Sequence, residues 1–547
     1  MIYPVIQKNN LNGESIAVSG VKISGDFISV ARKVFAGYNI NTNGDFAVEL
    51  KLADSRETTY IEELRRLTDE KYIIDVTKTC AVIKVSSEKG AFRGLNTLCK
   101  LINDNSLCVG TVEDYPTFET RGYIEGFYGP TWEHEKRLSV MSLMAKYGMN
   151  TYFYAPKDDI YHREKWRELY PESELNNLKI LVGYAKENYF NFNWCIGPGL
   201  SYKYTSDEDF KLLIDKIKSI YNIGVRGFGL LLDDIPWEFQ YPEDAEKYDG
   251  IVEAHVDLIN KVYDELKAFD NGIKLTVCPT QYSGDENGYY ITKFGKGIPA
   301  DVSMFWTGQE ICSRVLTVRE GQELFRSTDH KPLFWDNYPV NDCEMFQEMH
   351  LGAIQGRDRE LYKACEGLIS NVMEYAECSK IPLITIADYL WNPENYNPDE
   401  SLKNAHKEML GEDAELFSYF ADHLGVSCLT KYSSAYMSNK LGHINFLLST
   451  GDREGALKEF SEYNAKMREC LGLISDDSKP LFAEMKKWVK KFSLCCDLLD
   501  AILKVWVDPA EDNVTKLARL TEEYNMNGVS LTGFCLREAA EKTLKLY

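Results

Sequence analysis

Asp233 and Asp234 stand side by side after an apolar run, Phe228 to Leu232, and before Ile235-Pro236. Adjacent carboxylates in a poorly solvated site repel each other. The pair is therefore expected to share its charge unevenly and leave one member as a general acid. Neighbours within a regular strand face opposite ways, so both reach one pocket only where the strand stops. The proline supplies that stop, since it breaks ladder pairing and restricts the residue before it. A pair of aspartates after a strand also serves as a helix cap or a solvated loop. By itself it does not separate a nucleophile from an orienting group.

Other polar groups follow short apolar runs in the same way: Glu125-Gly126-Phe127-Tyr128-Gly129, Lys157 with Asp158 and Asp159, Gln281-Tyr282, Trp306-Thr307-Gly308, Trp335-Asp336-Asn337, Asp342 and Asn371. Each has a structural reading. Lys157 could pair with its neighbouring aspartates, Tyr282 could sit half-buried at a rim, Trp306 and Trp335 could fill a core, and Asn337 and Asn371 could form turns. Taken together they offer carboxylates, amides, one lysine and aromatics. They include no histidine, no thiol with a base and no glycine-rich phosphate cradle. Aromatic faces beside amide and carboxylate groups suit a neutral polyhydroxylated ligand, a sugar.

The elements that must position these groups are eight strand-like runs, at 121–125, 149–154, 191–196, 225–232, 273–278, 301–306, 332–335 and 366–370. Most are separated by helix-compatible segments, although the fifth-to-sixth connection is poor in helix signal. Such alternation implies parallel strands under covering helices, and eight units imply a closed (β/α)8 barrel with its site at the C-terminal strand ends. The expected fold class is thus α/β, with a small α/β domain at 1–117, the barrel at 118–395 and an all-α helical bundle at 396–547. In the first region Ile61–Leu67 and Ala91–Ile102 read as helices, Tyr72–Val76 and Val82–Val85 as strands. In the last, Phe482, Met485, Val489, Phe492, Cys496 and Leu499 recur at helical spacing. That stripe reads as bundle core, with a homodimer seam as the alternative.

Composition narrows the partners. The chain has 547 residues, 62 basic and 84 acidic, for a net charge of −22. This excludes a broad nucleic-acid surface. No run approaches the ~18 apolar residues of a membrane span. Fourteen cysteines without a CxxC pair, and eight histidines without ligand spacing, imply reduced thiols and no bound metal. The N-terminus shows no basic, apolar and small-residue leader pattern. The expected location is the cytoplasm, or outside the cell if a leader was removed.

At these residues the sequence resembles glycoside hydrolase family 84, the β-N-acetylglucosaminidases that include protein O-GlcNAc hydrolases. The resemblance rests on RGYIEGFYGPTW, NTYFYAPKDDIYHREKWRELYP, LLLDDI, PTQY, FWTG, WDNYPVND and SNVMEYAECSKIPL, in consistent order from 121 to about 395. Residues 70–98 and the helical tail also resemble the domains flanking the barrel in bacterial members. The resemblance implies a retaining exo-β-N-acetylglucosaminidase without an enzyme nucleophile, in which the substrate's acetamido oxygen forms an oxazoline. It implies that Asp233 orients the acetamido N–H, that Asp234 is acid and then base, and that Tyr282 holds the acetamido oxygen. Gly126, Lys157, Trp306, Trp335, Asn337, Asp342 and Asn371 are expected to contact the sugar, with no cofactor. The expected partner is a glycan or glycoprotein bearing β-linked N-acetylglucosamine. Two other readings stand beside it: the same chemistry on β-N-acetylgalactosamine, and a catalytically silent sugar-binding protein. Two departures are visible. Gly197-Pro198-Gly199 replaces a frequent Ser-Pro-Gly, and Val372 replaces a common proline after Asn371.

Overall fold

The computed structural model describes residues 2–53, 69–425, 427, 429 and 433–546. The helix expected at Ile61–Leu67 lies outside them.

Strands β1 (Lys8–Ala17), β2 (Val21–Gly25), β3 (Phe46–Leu52), β4 (Tyr72–Val76), β5 (Cys80–Val85) and β6 (Ser106–Asp114) form one mixed sheet in the order β1-β6-β4-β5-β3-β2. β4 and β5 alternate buried and half-buried positions, as a strand with one covered face should. The helix Glu88–Leu101 covers that face. Its N-cap Ser87 accepts from the Gly90 amide, satisfying one of the free donors of the first turn.

Eight parallel strands then close a barrel: β7 (Thr120–Glu125), β8 (Thr151–Tyr154), β9 (Asn191–Ile196), β10 (Gly227–Leu231), β11 (Lys274–Cys278), β12 (Ser303–Trp306), β13 (Pro332–Asp336) and β14 (Gly367–Asn371). All eight expected runs are strands. A helix, Tyr289–Gly297, occupies the connection that was poor in helix signal. The strands are buried on both faces, as parallel strands under helices are. Inside the barrel Ile124, Phe153, Cys195, Leu231, Phe305, Leu333, Trp335 and Ile369 share one cluster. Phe305 packs edge-on against both Phe153 and Trp335, with centroids 5.1 Å apart in each case.

Glu70 joins the sheet unit to the foot of the barrel. It accepts from Arg93 at 2.8 Å and from Arg121 at 2.7 Å, and all three side chains are buried. Burial alone would push its carboxyl up, but the two guanidinium groups hold it down at about 2. Arg93 also donates to the carbonyls of Ala145 and Met149, and Arg121 to those of Gly148 and Phe118.

After the barrel the chain is helical, from Pro398–Leu410 through to Cys535–Leu546. The stripe on Lys486–Val507 and the preceding turn is spent within the chain: Phe482, Met485, Phe492, Cys496 and Leu499 are buried in the main core, and Val489 packs against it. These side chains form bundle core within the chain. Among the described residues no helix is long and apolar enough to cross a membrane.

Candidate active site

The C-terminal ends of the barrel strands surround a cavity of about 820 Å³, within the size range of small-ligand sites. Nine of the ten residues singled out from the sequence line it: Gly126, Lys157, Asp233, Asp234, Tyr282, Trp335, Asn337, Asp342 and Asn371. Trp306 does not. Its strand partner is Phe334, one register position beyond the inward-facing pair Phe305 and Leu333, so the pleat turns its ring away from the axis. It is fully buried in the outer core, which corrects the expectation that it touches the sugar.

The two aspartates diverge. β10 ends at Leu231, and Asp234 adopts a left-handed backbone conformation with φ 49°, so the chain turns between the two carboxylates. Asp233 accepts from Lys157 Nζ at 2.5 Å in a closely buried ion pair, with the side chains 8 % and 3 % exposed. Burial works against the Lys157 charge, yet Asp233 beside it raises the ammonium above its ordinary value. Asp234 has different partners: Tyr282 donates to Oδ1 at 2.8 Å and Tyr128 to Oδ2 at 2.9 Å. Burial first, then the charge of Asp234, pushes the Tyr282 phenol far up, so it stays a hydrogen-bond donor.

The opposite wall is an amide chain. Trp335 Nε1 donates to Asn337 Oδ1 at 2.8 Å, Asn371 Nδ2 donates to the same oxygen at 3.0 Å, and Asn371 Oδ1 receives the Gly126 amide at 3.2 Å. Asn337 Nδ2 reaches the Ile311 carbonyl at 2.7 Å. These bonds fix which edge of each amide faces the cavity. Gly126 is required by close approach: a Cβ there would meet Trp335 Cζ2 at 2.6 Å. Asp342 accepts from the Tyr128 amide at 2.7 Å, and burial raises its carboxyl.

Asp159, close to Lys157 in sequence, is bonded to its own neighbours instead of to that lysine. Asp159 is taken up by the hydroxyls of Tyr154 and Tyr170 and the Tyr161 amide. Glu125 turns outward to Arg137 and Tyr152.

Several groups at the site escaped the sequence reading. Tyr128 stood among the polar groups after the first strand without a role of its own, and Arg163 lay inside a quoted motif; both bond to Asp234 across long stretches of sequence, which spacing does not reveal. Cys278 at the cavity base read as an ordinary strand residue. Glu310, Ile311, Cys312 and Arg314, on the loop after β12, carry no periodic signal at all. Beside Arg163, buried His162 donates from Nδ1 to the Cys195 carbonyl at 2.9 Å, while its Nε2 is without a hydrogen-bond partner. Burial holds its imidazole down at about 3, hence neutral.

The family described as β-N-acetylglucosaminidase matches residues 121–422. The protein O-GlcNAcase of Rattus norvegicus is 30 % identical over 282 residues, covering 50 % of this chain and 30 % of its own length. The chain thus spans under a third of that relative. The solved structure of a Thermobaculum terrenum O-GlcNAc hydrolase mutant is 33 % identical over 78 % of this chain and 95 % of its own, with a TM-score of 0.75. That of CpGH84B is 27 % identical over 99 % of this chain and 100 % of its own, with a TM-score of 0.85.

Proposed function

Because the chain belongs to the β-N-acetylglucosaminidase family, we propose that it is a retaining, exo-acting glycoside hydrolase. It removes a terminal β-linked N-acetylglucosamine from a glycan or glycoprotein, with the substrate's acetamido oxygen as nucleophile. The observation that carries this reading is the divergence of the adjacent aspartates, one ion-paired to Lys157 and the other held by two tyrosine hydroxyls.

In the first step the acetamido oxygen attacks the anomeric carbon while the glycosidic C–O bond breaks. Asp234 gives its proton to the departing oxygen, and Asp233 accepts the acetamido N–H and balances the positive charge that develops on the forming oxazolinium. Tyr282 donates to the acetamido oxygen and holds it in line, a proximity effect. In the second step Asp234 takes a proton from water, which attacks the anomeric carbon and opens the ring. Two displacements leave the β configuration unchanged. Asn337, Asn371 and Asp342 bind hydroxyl or amide groups of the sugar, over the face of Trp335.

The test is release of nitrophenol from the aryl β-N-acetylglucosaminide and its galacto epimer, with Asp233→Ala and Asp234→Ala beside wild type. An aryl leaving group scarcely needs protonation, so Asp233→Ala should lose more turnover than Asp234→Ala. Binding of N-acetylglucosamine without turnover of either glycoside would replace the hydrolase reading with a sugar-binding one.

A further inference from the structure

Arg163 lies outside every role assigned above, yet both ends of its guanidinium converge on one residue. Nη1 donates to the Tyr128 hydroxyl at 2.9 Å, and Nη2 donates to the backbone carbonyl of Asp234 at 3.2 Å. Tyr128 in turn donates to Asp234 Oδ2 at 2.9 Å. Arginine has donors only, and a tyrosine hydroxyl has a single proton. While Arg163 donates to that oxygen, its proton is committed to Asp234, and the relay has one direction. The second arm holds the carbonyl of a residue in the left-handed region, where a side chain adopts φ 49° only if its surroundings fix it. The Tyr128 ring lies under two cations, with Lys157 Nζ 5.5 Å and Arg163 Cζ 5.8 Å from its centroid, which settles the ring in place.

We propose that Arg163 is a positioning residue for proton transfer: through Tyr128 it reserves Asp234 Oδ2 as a standing acceptor and leaves Oδ1 as the oxygen that carries the proton. This rests on the hydrolase reading above. In the unliganded protein Oδ1 is bonded to Tyr282. When Tyr282 turns its hydroxyl to the acetamido oxygen, Oδ1 is released on the cavity side. Its proton passes to the leaving oxygen as the glycosidic bond breaks, and a proton from water returns to the same atom in the second step. Oδ2 accepts from Tyr128 throughout, so the carboxyl does not swing between the two steps.

The experiment compares kcat/KM on two β-N-acetylglucosaminides, one with a phenyl leaving group that needs a proton and one with a dinitrophenyl group that does not. Arg163→Met is expected to lower kcat/KM on the phenyl glycoside by about 10-fold or more and on the dinitrophenyl glycoside by less than about 3-fold, a fraction of the full general-acid effect. Tyr128→Phe, which removes one oxygen atom and keeps the ring, should give the same contrast even if Arg163→Met folds poorly. Adding Arg163→Met to Tyr128→Phe should then cost less than about 3-fold more, because the two act in one chain. Equal losses on both substrates, or fully independent losses in the double variant, would overturn the proposal. A wild-type protein inactive on both glycosides refutes the hydrolase reading itself, and this one with it.

Discussion

Gly126→Ala tests how tightly the sugar pocket is built. The new Cβ would lie 2.6 Å from Trp335 Cζ2, 2.9 Å from Cη2 and 3.2 Å from Asn371 Oδ1. Carbon atoms in good contact stand about 3.5–4.0 Å apart, so the indole must retreat by about 1 Å. It has little room, because Phe305 packs edge-on against it and Nε1 is bonded to Asn337 at 2.8 Å. Overpacking of this kind costs about 1–3 kcal/mol. Loss of the indole hydrogen bond adds about 1 kcal/mol and frees Asn337 Oδ1, which also orients Asn371. A wall displaced by about 1 Å can lower turnover by about a hundredfold through misplacement of the bound substrate. The assay is kcat/KM on the nitrophenyl glycoside together with thermal unfolding. The expected outcome is a modest fall in Tm with a disproportionate fall in kcat/KM. Unchanged kinetics would show that the indole and the amide chain yield freely, against the argument from packing.

The same operation at Gly197 should have the opposite sign. A Cβ there has only ordinary contacts, with Arg163 Cγ and Leu231 O at 3.5 Å and His162 Nε2 at 3.6 Å, so Gly197→Ser should fold and supply a hydroxyl to the unpartnered His162 nitrogen. An increase of about 1 kcal/mol in urea stability is expected, and a loss would contradict the assigned space. Asp388, which accepts from the Val5 amide at 2.7 Å, is raised by burial to about 6. Its contribution to stability is fully present below its unfolded value and is lost as pH rises through about 6, an effect bounded at about 3 kcal/mol. Asp388→Asn keeps an acceptor for Val5 and removes the charge, so it should stabilise the fold at pH 8 relative to wild type far more than at pH 4. Equal differences at both pH values in urea unfolding would contradict that linkage.

The barrel was legible because each strand is a short apolar run, seven of the eight run into polar residues, and those endings converge where the ladder closes. The position of Trp306 was not, because FWTG does not say which of Phe305 and Trp306 faces the axis; only the register against Leu333 and Phe334 decides it. Asp233 and Asp234 were recognisable as a pair from their neighbours and Pro236. Their separate partners were not, since Lys157 and Tyr282 arrive from strands 76 and 48 residues away in sequence. Arg163 and Tyr128 are a plainer case of the same limit, because a residue that works by holding another leaves no pattern of its own.

The buried trio of Glu70, Arg93 and Arg121 bears on how this molecule can be divided. A cut near residue 117 looks natural on paper, where sheet gives way to barrel. It would strand Arg121 at the foot of the first barrel strand without its counter-ion, and leave Glu70 and Arg93 on the discarded piece. An excised barrel therefore keeps Arg121 on the Gly148 and Phe118 carbonyls but without its carboxylate, and breaking a buried pair in this way costs about 3–5 kcal/mol. Because Glu70 keeps its charge down to about pH 2, the seam stays locked while Asp388, at another point of the same junction, gains or loses its own. The sheet unit is better regarded as the base plate of the barrel than as a module attached to it.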